Sequence, residues 1–573
     1  MSSKNIELKK YIFLLKKFYN IKIIFLLSSI IFIGTLITSF LFPLYPDEIA
    51  ARFWLNRLPY DFPLKITNMP TCISGYIQRW PVTWIIPGMI NWIIFILNKN
   101  PISQRIIGII IAILWVISIF YYLYKKSNNL IKLNFISNKD AIFYLSSFVL
   151  SVLTVGVFPI FLILTRNEEL IPISITVLIF LFLKSMNNYK NNNNLFSYFI
   201  TFIIYFSSVS LIIFAHPKGE FLIPFFIFIG YKIFHNYNNK LLFYIVFIVL
   251  LIQIFQGYRS WAYSFRCPEV PRLDHLLKSF SFDPFSIFYN TDYFFKMTLY
   301  SLRSFPKYLL QIGFQSVTDI NYLPPSPVGK FTQILNFFIH FNIAIMFLLI
   351  PILLIIFYIN YNYNNRNLKS INIALLILYA CIFISGIFNL PKNWYDPGYL
   401  YFILIIIYIF FVGENFYKIN NIKIFKILIL YLTIISIFSQ LVFINRLLPS
   451  FLKGYEGPGI SMIVFFHQKN ILEKDIKKVA IENGINFIDG EKIIVDDLTY
   501  FYFAKNRIPM PITYIFDEND PSSIHHFITQ VNSSGIIVRC SYMPIAFQAY
   551  ATRIGSICGI SKDNIKKLPI SGW

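Results

Sequence analysis

Four short polar clusters interrupt an otherwise apolar chain, and each holds residue types suited to acid–base or phosphate chemistry. Asp47 and Glu48 stand together in LYPDEIAARFW. A carboxylate so placed can take the proton from a hydroxyl nucleophile. Thr165-Arg166-Asn167-Glu168-Glu169 fills the gap between two apolar runs, and His216-Pro217-Lys218-Gly219-Glu220 fills another. Arg166, Lys218 and His216 can hold a phosphate, with Gly219 allowing close approach. Such cations also neutralise a departing phosphate. The fourth cluster, KNWYDPGY, carries Lys392, Tyr395 and Asp396 among aromatics.

Each cluster has a plainer reading. Asp47 and Glu48 suit the cap and first turn of a helix over EIAARFW. TRNEE is a solvated turn, His216 and Lys218 are snorkelling headgroup contacts, and KNWYDPGY is part of an aromatic belt.

The elements between the clusters must cross a membrane. Of 573 residues, 56% are hydrophobic and 13% charged, with 63 Phe and 38 Tyr. A soluble chain of this composition lacks the polar groups to cover its surface. A purely cytoplasmic enzyme is therefore excluded. The formal charge of +23 is expected in cytoplasmic loops, where it orients the helices. No Lys/Arg-rich run with interleaved aromatics points to nucleic acid. The five cysteines show no zinc-ligand spacing.

Eleven apolar runs are expected to span: 23–42, 106–124, 141–164, 170–183, 196–215, 221–234, 241–255, 331–359, 371–390, 399–412 and 427–443. The first follows a lysine-rich segment and has no cleavage site, so it reads as an uncleaved helix with a cytoplasmic N-terminus. Threading the runs from that side leaves basic cytoplasmic connections, such as KKSNNLIKLNFISNKD and KSMNNYKNNNN. All four polar clusters fall on the opposite side, with external loops over 43–105 and 257–330. Within the first loop, 83–97 is apolar but short and broken by Pro87 and Gly88, which suits an interfacial or re-entrant piece.

The division expected is a transmembrane domain over 1–445 and a small external α/β domain over 446–573. In the second part ISMIVFF reads as a strand, LEKDIKKVAIENG as a helix ending at Gly484, and KIIVDDLTYFYFA and GIIVRCSY as further pieces. Cys540 and Cys558 lie there. A disulfide and two unpaired buried thiols are both compatible with the sequence.

The first helix, followed by Asp-Glu in a long external loop, resembles the GT-C superfamily of polytopic glycosyltransferases, which includes the protein O-mannosyltransferases and the aminoarabinose lipid A transferases. The features that carry the resemblance are PDEIAARF, the TRNEE and HPKGE turns, and the C-terminal α/β domain with KIIVDDLTYFYF. The resemblance implies a polyprenyl-phosphate sugar donor and transfer on the external face to a lipid, glycan or protein acceptor, with Asp47 catalytic and Glu48 its helper. Lys218, His216 and Arg166 would hold the donor phosphate, while Glu168, Glu169, Tyr395 and Lys392 would line the substrate. Asn167 replaces the proline of the Arg-Pro-Glu-like turn in related enzymes. Some relatives bind a divalent metal at the loop acids. A bacterial inner membrane is the expected compartment, although an endoplasmic reticulum protein would look similar.

Two rivals remain at this point. A flippase or transporter would place ionisable residues near mid-membrane and show internal repeats; the apolar runs carry almost no charge and no repeat is seen. A lipid-linked polysaccharide polymerase fits Arg259, Arg266, Arg272 and Arg303 in the 257–330 loop.

Overall fold

The structure is a computed structural model of the full chain. It describes residues 20–42, 101–131, 138–155, 170–187, 195–215, 217–236, 240–264, 282–309, 329–360, 366–388, 395–416, 422–453, 462–486, 492–503, 508–511, 533–543 and 545–567.

Each of the eleven apolar runs contains a helix among its described residues. In chain order these are α1 (Ile21–Thr38), α2 (Pro101–Ile131), α3 (Asn138–Leu153), α4 (Leu170–Asn187), α5 (Leu195–Ala215), α6 (Ile223–Asn236) and α7 (Lys240–Ser264). After two further helices, α8 (Ser286–Tyr289) and α9 (Thr291–Leu309), come α10 (Lys330–Asn360), α11 (Arg366–Phe388), α12 (Tyr395–Asn415) and α13 (Ile422–Lys453). Among the described residues, 6 of these helices are long and apolar enough to cross a membrane: α1, α2, α5, α10, α11 and α13. The apolar parts of α3, α4, α7 and α12 are shorter. The chain is a multi-pass membrane protein, and the count of eleven spans exceeds what helix length alone supports.

Proline marks several boundaries. Pro101 opens α2, where its missing N–H costs nothing. The external loop expected to reach 105 therefore gives way to helix at 101. Pro397 sits in the first turn of α12, so that helix starts at Tyr395 and not at Tyr399. Helix α13 runs through 445 to Lys453 with Pro449 inside it.

Side-chain contacts fix the helix directions. Helices α1, α3 and α13 run together: Phe25 meets Phe143 (5.2 Å between ring centroids), Tyr144 meets Phe425 (6.4 Å), and further along Ser28, Ser151 and Thr433 meet. Helices α2, α4 and α12 run together the other way. Trp115 meets Phe402 (5.7 Å) and donates to Thr176, while Tyr122 meets Phe410 (5.1 Å) and Phe180 (5.5 Å). Helix α10 is antiparallel to α13, with Phe331 on Phe438 and Phe338 on Tyr431. Helix α11 returns beside α10 through Phe347 and Tyr379. The outward face of α1 shows Leu26, Ile30, Ile33 and Ile37 at helical spacing, a lipid-facing stripe.

The C-terminal part has its own core, from Leu472 to Ile565. Helix α14 (Met462–Glu482) precedes a five-stranded sheet of order β2-β1-β3-β5-β4. The strands are β1 (Lys492–Val495), β2 (Ile508–Pro511), β3 (Gly535–Arg539), β4 (Thr552–Ile554) and β5 (Ile557–Ser561), with helix α15 (Asp497–Phe503) between β1 and β2. Strand β1 pairs in parallel with both β2 and β3, while β5 is antiparallel to β3 and β4. Small helices α16 (Ile545–Gln548) and α17 (Lys562–Lys566) flank the last strands.

One expected strand is a helix. Met462 to Phe466 of ISMIVFF form the first turns of α14, because the amphipathic segment after them continues the same helix. That helix ends as expected, with Gly484 at φ +63° supplying the left-handed residue after the last turn. Cys540 and Cys558 are joined, their Cα atoms 4.8 Å apart.

Candidate functional site

One end of the bundle collects the candidate chemistry. Ile102 at the start of α2 and Phe451 at the end of α13 pack against the core of the C-terminal sheet. We call this the domain end. The Arg105 guanidinium lies 5.9 Å from the centre of the Phe42 ring, so the exit of α1 is at the domain end too. Helices α4 and α12 run parallel to α2, so Leu170 and Tyr395 start there as well. Phe221 stacks on Phe388, the last residue of α11, at 6.2 Å, which brings the turn between α5 and α6 to the same end. The described chain on which all four polar clusters hang thus meets at one end.

The predicted site residues themselves divide sharply. Asp47, Glu48, Arg166, Glu168, Glu169, His216 and Lys392 lie outside the described residues, as does the 83–97 segment. Lys218 belongs to a 3-10 helix, Pro217–Leu222, and Tyr395 to the first turn of α12.

Gly219 has a structural use. A Cβ there would stand 2.4 Å from the main-chain oxygen of Ile212. The glycine lets the 3-10 turn close onto helix α5.

Arg105 is a residue that sequence reasoning missed. It is fully buried at the domain end. A guanidinium without water must be held by polar or π partners, and the face of Phe42 is one. Its position as the last polar residue before an apolar run was the available signal.

In the C-terminal domain, Asp496 sits at the end of β1 and is fully buried. Its Oδ1 accepts from the Thr499 amide and hydroxyl, each at 2.8 Å. Its Oδ2 accepts from the Arg539 amide at 3.0 Å and Nε at 2.7 Å. Arg539 in turn covers the Tyr542 ring at 4.3 Å. The acid of KIIVDD is therefore engaged in tying β1 to β3. Nearby, burial, assisted by the charge of Glu473, pushes the Tyr502 hydroxyl up to about 12.

The far end of the bundle holds a second polar group. Glu414 is buried, ion-paired to Lys126 and accepting from the Tyr122 hydroxyl at 2.5 Å. Asn415 donates to Asn372 at 3.5 Å and to the Phe411 carbonyl at 2.8 Å. Among the described residues, no three His, Cys, Asp or Glu side chains gather as a metal would need.

No family model matches the chain, and no curated protein does. Among solved structures, the chain is similar to the Archaeoglobus fulgidus oligosaccharyltransferase, in its complex with Zn and sulfate. The match has 12% identity and a TM-score of 0.43, and covers 94% of this chain and 74% of the other.

Proposed function

We propose that this protein is a membrane glycosyltransferase of the GT-C kind, working at the domain end of the bundle. The donor is a polyprenyl-phosphate-linked sugar, and the acceptor is a lipid, glycan or protein hydroxyl. Asp47, aided by Glu48, takes the acceptor's proton as its oxygen bonds to the anomeric carbon. The bond from that carbon to the phosphate oxygen breaks, and the polyprenyl phosphate leaves against Lys218, Arg166 and His216. Glu168, Glu169, Tyr395 and Lys392 position the acceptor and sugar. The domain end faces the periplasm, with the N-terminus in the cytoplasm and the division near 445 separating membrane and external domains.

The observation that supports this most is the meeting of four helix termini, each bordering a charged cluster, at the end that carries the disulfide-bonded domain. Disulfides persist outside the reducing cytosol, which favours an external assignment for that end. Membranes containing the protein, incubated with radiolabelled polyprenyl-phosphate sugar, should pass label to an acceptor. Label that stays on the donor while the donor changes leaflet would make the protein a transporter.

A further inference from the structure

Helix α9 lies across the bundle rather than along it. Phe294 meets Phe388, the last residue of α11, at 6.1 Å, and three turns later Phe305 meets Phe383 at 5.7 Å. Phe305 also lies on Gly386, where an added Cβ would stand 2.1 Å from the ring. Between these contacts α9 advances about 16 Å, while the points touched on α11 are only about 7 Å apart along that helix. The level is set by Phe388, because the candidate span Lys369–Phe388 ends there.

The surface of α9 divides into sectors. Phe294, Ser301 and Phe305 face the protein. Phe295, Leu299 and Leu302, at helical spacing, are exposed. Lys296 and Arg303, seven residues apart on one line, are exposed on the next sector, with the exposed Asp292 one turn before Lys296 and the exposed Tyr293 and Tyr300 beyond. The helix is not among those apolar enough to cross a membrane. A helix with one apolar flank, one cationic flank and little net hydrophobicity rests in the plane of a bilayer surface. Ile384, on the neighbouring spanning helix, is also exposed.

We propose that α9 is an interfacial helix that seats the domain end on the lipid headgroup layer. Phe295, Leu299 and Leu302 enter the edge of the acyl region, and Lys296 and Arg303 rest on the phosphates of anionic lipid. This does not depend on the transferase reading.

The test uses the full chain in liposomes of phosphatidylcholine and phosphatidylglycerol. A fluorescent thiol probe is placed by L299C or R303C in a Cys72→Ser/Cys267→Ser background, Cys381 being buried and Cys540 and Cys558 being joined to each other. Lipid carrying a nitroxide near its glycerol should quench the probe at 299, and aqueous iodide should quench the probe at 303. L302C repeats the first measurement should L299C fail to fold. Iodide reaching 299 or 302 without lipid quenching would overturn the proposal, as would lipid quenching at 303 as strong as at 299. Replacing Lys296 and Arg303 by Gln should lower the preference for nitroxide-labelled phosphatidylglycerol over phosphatidylcholine about five-fold per cation. An unchanged preference would overturn the headgroup contact.

Discussion

Lys126 is ion-paired to Glu414 across 288 residues of sequence, at the end of the bundle opposite the candidate site. The pair joins the C-terminal parts of α2 and α12, two helices that run in the same direction and carry the candidate chemistry at their other ends. Glu414 is 4% exposed and Lys126 26%, so the two sides of the pair are unequal.

That inequality predicts unequal damage. Lys126→Met leaves a buried carboxylate without its cation and should cost about 3–5 kcal/mol. Glu414→Gln should cost less, since the Tyr122 bond survives and the lysine can reach water. The double variant should recover part of the loss. Thermal unfolding in detergent measures all three; equal losses for the two single variants would show that burial of Glu414 does not set the cost.

At Gly219 the expected effect is structural. Gly219→Ala forces the turn away from the Ile212 carbonyl and should cost about 1–3 kcal/mol. Reduced thermal stability without added donor is the readout. A variant of full stability with weakened donor binding would return the glycine to the ligand.

Asp47 separates chemistry from capping. Asp47→Asn can still cap a helix but cannot take a proton, so transfer should fall roughly 10²–10⁴-fold at normal expression. Asp47→Ala should add about 1 kcal/mol of instability. Normal transfer by the Asn variant would reduce Asp47 to a cap. Lys218→Ala and Arg166→Ala should each lose about ten- to a hundred-fold in transfer, the worth of one charge-assisted contact.

Tyr502 gives the C-terminal domain an alkaline limit. Its hydroxyl titrates near 10.0 when unfolded and about 12 when folded. Its contribution is whole below pH 10 and is lost as pH rises through 12, because only the unfolded chain gains from early ionisation. The tyrosinate absorbance difference between the parent and Tyr502→Phe should rise late. Glu473→Gln should bring the midpoint down while leaving it above 10, since burial is the larger cause.

Helices were legible where apolar runs were long, because their period and length leave no other solution in a bilayer. ISMIVFF was misread for the opposite reason: a short apolar run has no period of its own, and only its continuation into LEKDIKKV makes it helical. Helix α9 was hidden inside a loop by its mixed composition. Glu414 carries no signal in the sequence, since its partner Lys126 is close only after folding. The four polar clusters were visible as residue types, and the common end of their flanking helices followed from parity. No local pattern announced that Gly219 serves α5 or that Asp496 ties two strands.

The hydroxyls where α1, α3 and α13 meet are over-connected. Ser28 touches Ser151 at 3.0 Å and Thr433 at 3.2 Å, Ser151 touches Thr433 at 2.8 Å, and Thr433 also reaches the Ile429 carbonyl at 2.8 Å. Each hydroxyl brings a single proton, so the three together cannot fill every contact at once. One contact is always idle, and the protons can redistribute without any oxygen moving. The junction therefore holds α1, α3 and α13 with a contact to spare, so that Ser28→Ala leaves the Ser151–Thr433 contact between α3 and α13 in place.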